Sequence, residues 1–312
     1  MSLFLGIDTS NYTTSVAVYN SENGEMLQRK QLLPVKQGQL GLRQSDAVFH
    51  HTRQLHTLVE DIAKEVDLSG VSALGVSTRP RPVDGSYMPC FTVGENTARI
   101  ISAVIKKPLL TFSHQEGHIA AALFSAARED LFEKEFLAFH ISGGTTEAVL
   151  AKGSTSSFAV KEAAKTLDLN AGQAVDRVGL MLGLKFPCGS QLEQLALNNT
   201  EKFKVRPTLK GADCCLSGLE NQCKKMLDNG EGKEKIAAFC LAFIQATLEK
   251  MTEKLLEQFG NLPVIFAGGV MSNSIIRNAL TEKFGATFAK PEYSADNAAG
   301  IAYLAYKKYT EI

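Results

Sequence analysis

Two histidines four residues apart, in His114-Gln115-Glu116-Gly117-His118, form the sharpest chemical feature of this sequence. On a helix, positions four apart project about 40° from each other, so both imidazoles can reach one metal ion. The zinc-protease arrangement HExxH puts a general base directly after its first histidine. Here Glu116 comes two residues after His114, about 200° around the helix, and points away from the metal face. The spacing describes a metal pair without a protease base; a solvated pair fits it equally well. A metal needs further ligands. Asp296 opens a last helix, where a cap is an equally simple role, and His140 ends a strand that leads into a glycine turn.

That turn, Ser142-Gly143-Gly144-Thr145-Thr146, has the composition of a phosphate cradle, with glycines that let backbone amides approach a ligand and hydroxyls beside them. Gly268-Gly269-Val270-Met271-Ser272-Asn273 follows a short apolar strand and opens a helix, the general recipe for nucleotide binding in α/β folds. It is neither GxGxxG nor GxxxxGK[ST], so neither a Rossmann nor a P-loop assignment is made, and Ser272 could be an N-cap alone. Asp176 sits on an otherwise small and apolar helix face and suits ribose hydroxyls, or else pairs with Arg177. Phe186-Pro187-Cys188-Gly189 breaks the chain before Glu193. A first hairpin at Phe4–Val18 turns at Asp8, Thr9 and Ser10, a second candidate for holding phosphate.

The elements that must position these groups can be read from periodicity. Helices are expected over Ser45–Val66, Glu95–Lys106, His114–Ala127, Phe239–Phe259, Asn273–Phe284 and Asn297–Tyr309. Strands are expected at Val71–Val76, Leu109–Phe112, on both sides of the glycine turn within Glu135–Val149, and at Pro263–Phe266. Three prolines make Arg79–Pro89 a loop. The hairpins at Phe4 and Phe139 share a pattern: an apolar strand ending in Ile, Asp or Ser, a small-residue turn, Thr-Thr, then Ala and Val. Their separation of about half the chain suggests a duplicated unit and two lobes around a cleft. The lobes are expected at 1–108, completed by a C-terminal helix at 297–312, and at 109–296.

Composition sets outer bounds. The 312 residues suit two domains, and 33 basic against 33 acidic residues argue against a protein that coats nucleic acid or membranes. No apolar run reaches the ~18 residues of a membrane span, and the first residues alternate like a strand rather than a signal peptide. Six scattered cysteines without a CxxC pair point to reduced thiols in a cytoplasmic protein. His50, His51 and His56, on a helix with Arg53, are expected to meet partners or solvent.

Taken in order, GIDTS, HQEGH, ISGGTTE, NAGQAVDRVGLMLGLKFPCG, LSGLE, FAGGVMSN and SADNAAGIA run over nearly the whole chain. Their succession resembles the threonylcarbamoyl-transferase family that modifies tRNA adenosine beside the anticodon, once described as glycoproteases. The resemblance implies an α/β, duplicated actin-like and sugar-kinase-like ATPase fold with a nucleotide-binding cleft. It implies that His114, His118 and Asp296 are metal ligands, with His140 where relatives place a tyrosine ligand, and that the ion is iron or zinc. His140, Ile141, Ser142, Gly143 and Gly144 match the loop that binds the activated substrate, and Asp176, Gly189, Glu193 and Asn273 match positions around the nucleotide.

The implied activity is transfer of threonylcarbamoyl from its adenylate to tRNA, metal-assisted, with ATP or AMP as related ligands and with accessory protein subunits. No catalytic residue is assigned. This sequence departs from the family pattern at several points. GIETSCDET is replaced by GIDTSNYTT, so Tyr12 and Thr13 stand where relatives carry adjacent carboxylates. SGGHT becomes SGGTT at Thr145, SGLK becomes SGLE at Glu220, and the AGPG loop becomes Arg79–Pro89. These departures suggest a divergent paralogue; a carbamoyl-adenylate enzyme with another acceptor, or a non-catalytic ATP-binding partner of a true family member, are the alternatives.

Overall fold

The computed structural model describes residues 2–10, 12–34, 42–154 and 157–311. Asn11, in the expected first turn, and Ile312, at the end of the expected last helix, lie outside the described residues. The chain opens with β1 (Leu3–Ser10), β2 (Thr13–Asn20), β3 (Glu25–Leu32), α1 (Gln44–Ala63), β4 (Val71–Arg79), α2 (Phe91–Ile105), β5 (Leu109–Ser113) and α3 (His114–Ser125). It continues through β6 (Glu135–Ile141), β7 (Thr146–Ser154), β8 (Ser157–Lys165), α4 (Ala171–Met181), α5 (Gly189–Leu197), β9 (Thr208–Lys210) and β10 (Asp213–Cys215). Next come α6 (Ser217–Asp228), α7 (Lys233–Phe259), β11 (Val264–Ala267), α8 (Ser274–Phe284), β12 (Thr287–Phe288), α9 (Pro291–Ser294) and α10 (Ala299–Tyr309).

These elements form two compact units. The first comprises Met1–Lys134, Lys152–Ala159 and Glu292–Ile312, and the second Glu135–Ala151 and Val160–Pro291. The boundary therefore falls after residue 134 rather than 108. The cause is pairing: β5 lies parallel to β4, and α3 follows it without a break. The closing segment likewise begins at Glu292, ahead of the expected 297.

In the first unit the sheet order is β3-β2-β1-β4-β5. β1 is central and buried along its whole length, while the edge strand β3 leaves Glu25, Lys30, Gln31 and Leu32 exposed. Charge on an edge strand discourages pairing with other chains. Leu5, Ile7, Val16, Val18, Leu74 and Val76 from the sheet pack with Leu55, Leu58 and Ile62 from α1. Each such side chain, fully buried, stabilises the unit by roughly 1.5–3 kcal/mol before entropy is counted. His51 lies on this same face of α1, fully buried, with Nδ1 2.8 Å from the Thr14 hydroxyl. The expectation that His51 meets partners or solvent is thus corrected.

Helix α10 packs against α3 and against the sheet at backbone distance. A Cβ at Gly300 would lie 1.8 Å from the Gly117 carbonyl oxygen, and one at Gly6 of β1 would lie 2.5 Å from the Ala302 nitrogen. Only glycine permits these approaches.

In the second unit the order is β12-β11-β6-β7-β8, with β11 parallel to both β6 and β12. The short link from β6 to β7 can join only antiparallel neighbours. Leu137, Phe139, Phe266, Phe243, Ile244 and Leu248 belong to the core between this sheet and α7. α7 starts at Lys233, six residues ahead of the expected Phe239, with Gly232 at its N-cap and Glu234 in its first turn. No regular element crosses the proline-bearing stretch between β4 and α2, as its composition required.

Candidate metal centre and ligand pocket

The metal-like cluster lies within the first unit. Ser113 and Glu116 start α3 with a reciprocal capping box, in which Glu116 Oε2 accepts from the Ser113 amide and hydroxyl, each at 2.7 Å. Glu116 is thereby buried and committed to the helix start, which removes it as a protease base. His114 and His118 then lie one turn apart, with their Nε2 atoms 2.9 Å from each other. Asp296 Oδ1 is 3.2 Å from His118 Nε2 and 3.5 Å from His114 Nε2.

Capping does not explain Asp296. The amide of Ala299 at the start of α10 donates instead to Asn297 Oδ1, at 3.0 Å. Asn297 also donates to the carbonyls of Tyr293 and Ala295, which fixes the turn that presents Asp296. The second Asp296 oxygen accepts from the Thr13 hydroxyl at 3.4 Å. Burial alone would push the His114 pKa down, but the Asp8 and Asp296 carboxylates raise it to about 10. Burial opposes the charge on Asp296 too, and the two histidines hold its carboxyl well below the usual carboxylate range.

Two imidazole nitrogens and a carboxylate oxygen converging on one point fit a divalent ion. Among the described residues they are the group within reach of a single ion. His140 is not in that group. It stands on β6 of the second unit, opposite Ala267 of β11. The donor set of nitrogen and oxygen suits zinc or iron better than magnesium, which prefers oxygen and water.

In the first hairpin, where a phosphate cradle of Asp8, Thr9 and Ser10 is expected, Asp8 and Thr9 are engaged inside the unit. Asp8 is wholly buried, and its Oδ2 lies 2.6 Å from His114 Nδ1. The Thr9 hydroxyl donates to the Cys90 carbonyl and accepts from the Gly94 amide, so its capacity is used inside the unit. The sequence reading missed Asp8 as the partner of His114, although a carboxylate in the middle of an otherwise apolar strand is itself a signal.

The second unit contains a pocket of about 410 Å³. Gly143, Gly172, Asp176, Gly189, Ser190, Glu193, Gly269, Ser272 and Asn273 line it, with Val175, Pro187, Leu241 and Val270 as its apolar wall. Five expected residues, Gly143, Asp176, Gly189, Glu193 and Asn273, thus come together. Others do not: Ile141 is core, and Ser142 Oγ accepts from the amides of Gly144 and Thr145 at 3.3 and 3.1 Å. The turn satisfies much of its own backbone, and Gly143 is its contribution to the lining.

The start of α4 is fitted closely to that turn. The Ala171 amide donates to the Thr146 hydroxyl, and a Cβ at Gly172 would lie 2.5 Å from the Gly143 nitrogen. Asp176 Oδ1 accepts from the Cys188 amide at 2.8 Å, while Arg177 pairs with Glu220 at 2.9 Å rather than with Asp176. Glu193 Oε1 accepts from the amide and hydroxyl of Ser274. Asn273, not Ser272, caps α8 through the Ile276 amide. Gly268 has φ of +101°, and a Cβ there would lie 2.2 Å from the Ile141 carbonyl oxygen. That glycine is required by backbone geometry.

A family model for tRNA N6-adenosine threonylcarbamoyltransferase matches residues 35–303. The enzyme of that name from Archaeoglobus fulgidus is 26% identical over 310 residues, covering 98% of this chain and 91% of its own. The one from a Sulfurihydrogenibium species is 30% identical over 319 residues, covering 98% and 90%. Among solved structures, a ROK family glucokinase from Streptomyces griseus superposes with a TM-score of 0.54 at 12% identity, over 98% of this chain and 99% of that one. The fold is that of the actin-like and sugar-kinase-like ATPases, with two five-stranded sheets.

Proposed function

The chain belongs to the tRNA N6-adenosine threonylcarbamoyltransferase family, and we propose that it moves a threonylcarbamoyl group from threonylcarbamoyl-adenylate to a tRNA adenosine beside the anticodon. The observation that carries this reading is the joint presence of the His114, His118 and Asp296 cluster and the glycine-lined pocket in a chain matched over most of its length. In the reaction the adenosine N6 amine attacks the carbamoyl carbonyl carbon. The new C–N bond replaces the C–O bond to phosphate, AMP leaves, and the amine gives up one proton.

A bound iron or zinc ion, held by His114, His118 and Asp296, would supply Lewis-acid polarisation of carbamate or phosphate oxygens. The pocket residues bind the adenylate: Asp176 and Glu193 accept hydroxyl protons, and the N-terminus of α8 at Asn273 favours negative charge. The pocket lining contains no lysine or arginine, which leaves phosphate charge there to backbone dipoles.

Tyr12 and Thr13 offer a phenol and a hydroxyl in place of adjacent carboxylates, so any step that needs a carboxylate base at these positions runs more slowly here. Accessory protein subunits and tRNA are the proposed partners, and the cytoplasm the proposed compartment. No helix among the described residues is long and apolar enough to cross a membrane. The test is reconstitution with threonylcarbamoyl-adenylate, tRNA and the host's accessory proteins, followed by nucleoside analysis. Threonylcarbamoyladenosine that disappears with His114→Ala supports the reading. No modified nucleoside under any pairing, with the adenylate still bound, refutes it.

A further inference from the structure

We propose that Asp8 is a positioning residue for the metal centre: it sets which nitrogen of His114 carries the proton and so aims Nε2 at the ion. The inference rests on the reading of His114, His118 and Asp296 as metal ligands, and adds a residue that no family motif assigned to that site.

Asp8 lies in the middle of β1, opposite Ser15 of β2, with no exposed surface. Its two oxygens have separate tasks. Oδ1 accepts from the Ser10 amide at 2.8 Å, which fixes the carboxylate against its own strand. Oδ2 lies 2.6 Å from His114 Nδ1. An ionised carboxylate can only accept, so Nδ1 must be the donor of this short contact. An imidazole that ligates an ion through one nitrogen has a single N–H, on the other. With that proton held on Nδ1, the lone pair is on Nε2, the atom that faces His118 and Asp296. The ring also cannot turn over without breaking a buried, charge-assisted hydrogen bond. Carboxylates that receive the second N–H of a ligating histidine act in this way at metal sites generally.

The Ser10 amide makes the argument testable by a single isosteric change. In Asp8→Asn the new side chain must still offer an acceptor to Ser10, so its carbonyl oxygen takes the Oδ1 position. Its NH2 group then faces His114 Nδ1. Two donors cannot face each other, so the imidazole proton moves to Nε2, the position the ion needs.

The measurement is ¹⁵N-resolved NMR of histidine-labelled, zinc-loaded protein, together with zinc affinity by chelator competition for the wild type and Asp8→Asn. The expected result is a wild-type His114 ring protonated at Nδ1 and coordinated through Nε2, and an affinity 10- to 100-fold lower in the variant. Coordination of wild-type His114 through Nδ1, or equal affinity in a folded variant, overturns the proposal and leaves the metal reading standing. A wild-type chain that retains no zinc or ferrous ion overturns both. The ring tautomer is read in the unmodified protein, so a variant that fails to fold does not remove the test.

Discussion

The two sheets share one plan and use it for different chemistry. Read outward from the third strand of each meander, β3-β2-β1-β4-β5 and β8-β7-β6-β11-β12 have the same order, with the same parallel additions after the first hairpin. In the first unit the first strand buries a carboxylate that reaches a histidine 106 residues away, so the chemistry is carried by side chains. In the second, the equivalent strand ends in a glycine turn packed on a helix start, and the pocket beside it depends on close backbone approach. A duplicated scaffold supplies the strand ends, and what stands on them differs: a cluster of imidazoles and carboxylates in one unit, a glycine-lined pocket in the other.

Breaking the backbone contacts should have the largest effect. Gly300→Ala in the first unit and Gly268→Ala in the second each place a Cβ inside van der Waals contact of a carbonyl oxygen, at 1.8 and 2.2 Å respectively. Each should cost roughly 3–5 kcal/mol of stability in chemical denaturation. If the two units are as alike as their topology, the costs should be similar; a loss below about 1 kcal/mol at Gly300 would mean that α3 and α10 separate easily.

Removal of a side-chain ligand should act on the first unit alone. His114→Ala should lower metal content at least ~100-fold by elemental analysis, since one of three ligands is lost. Nucleotide affinity in the second unit's pocket should change little. Full metal content in His114→Ala would remove the triad from the site.

The pocket variants form the converse test. Asp176→Ala and Asn273→Ala should each weaken AMP binding about 10-fold in calorimetric titration, by loss of a polar partner and of the α8 cap. Metal content should stay as in the wild type. Unchanged AMP affinity in both would mean that the pocket serves another ligand.

The smallest effect belongs to Thr13. Its bond to Asp296 is long, at 3.4 Å, so Thr13→Val should weaken metal binding only two- to five-fold, and Thr13→Ser should restore it. A loss as large as that of His114→Ala would make Thr13 an essential support of the carboxylate.

Much of this was legible before any coordinates. The histidine pair followed from helical geometry, and the glycine turns from the backbone freedom they require. The repeat was visible in two similar hairpins, and the matching strand orders give it structural form. What escaped notice depended on pairing between distant segments. Asp8 looks like a turn residue until α3 is placed beside β1, and β5 looks like the start of a new lobe until it pairs with β4. His51 was legible and misread: it shares a helical stripe with Leu55, Leu58 and Ile62, and that periodicity outweighed its polarity. The strands β9 and β10 are three residues each, too short for an alternating pattern to register.

The order of assembly follows from how the first unit is threaded. His114 and His118 belong to its opening segment, and Asp296 to the segment that begins at Glu292, with all of the second unit encoded between them. A ribosome therefore releases the two histidines well before Asp296 exists. The intervening unit can close its core while α3 still lacks α10, the helix that must seat against Gly117. Completion of the cluster is accordingly a late event in chain synthesis, and until then Asp8 of β1 is the carboxylate within reach of His114.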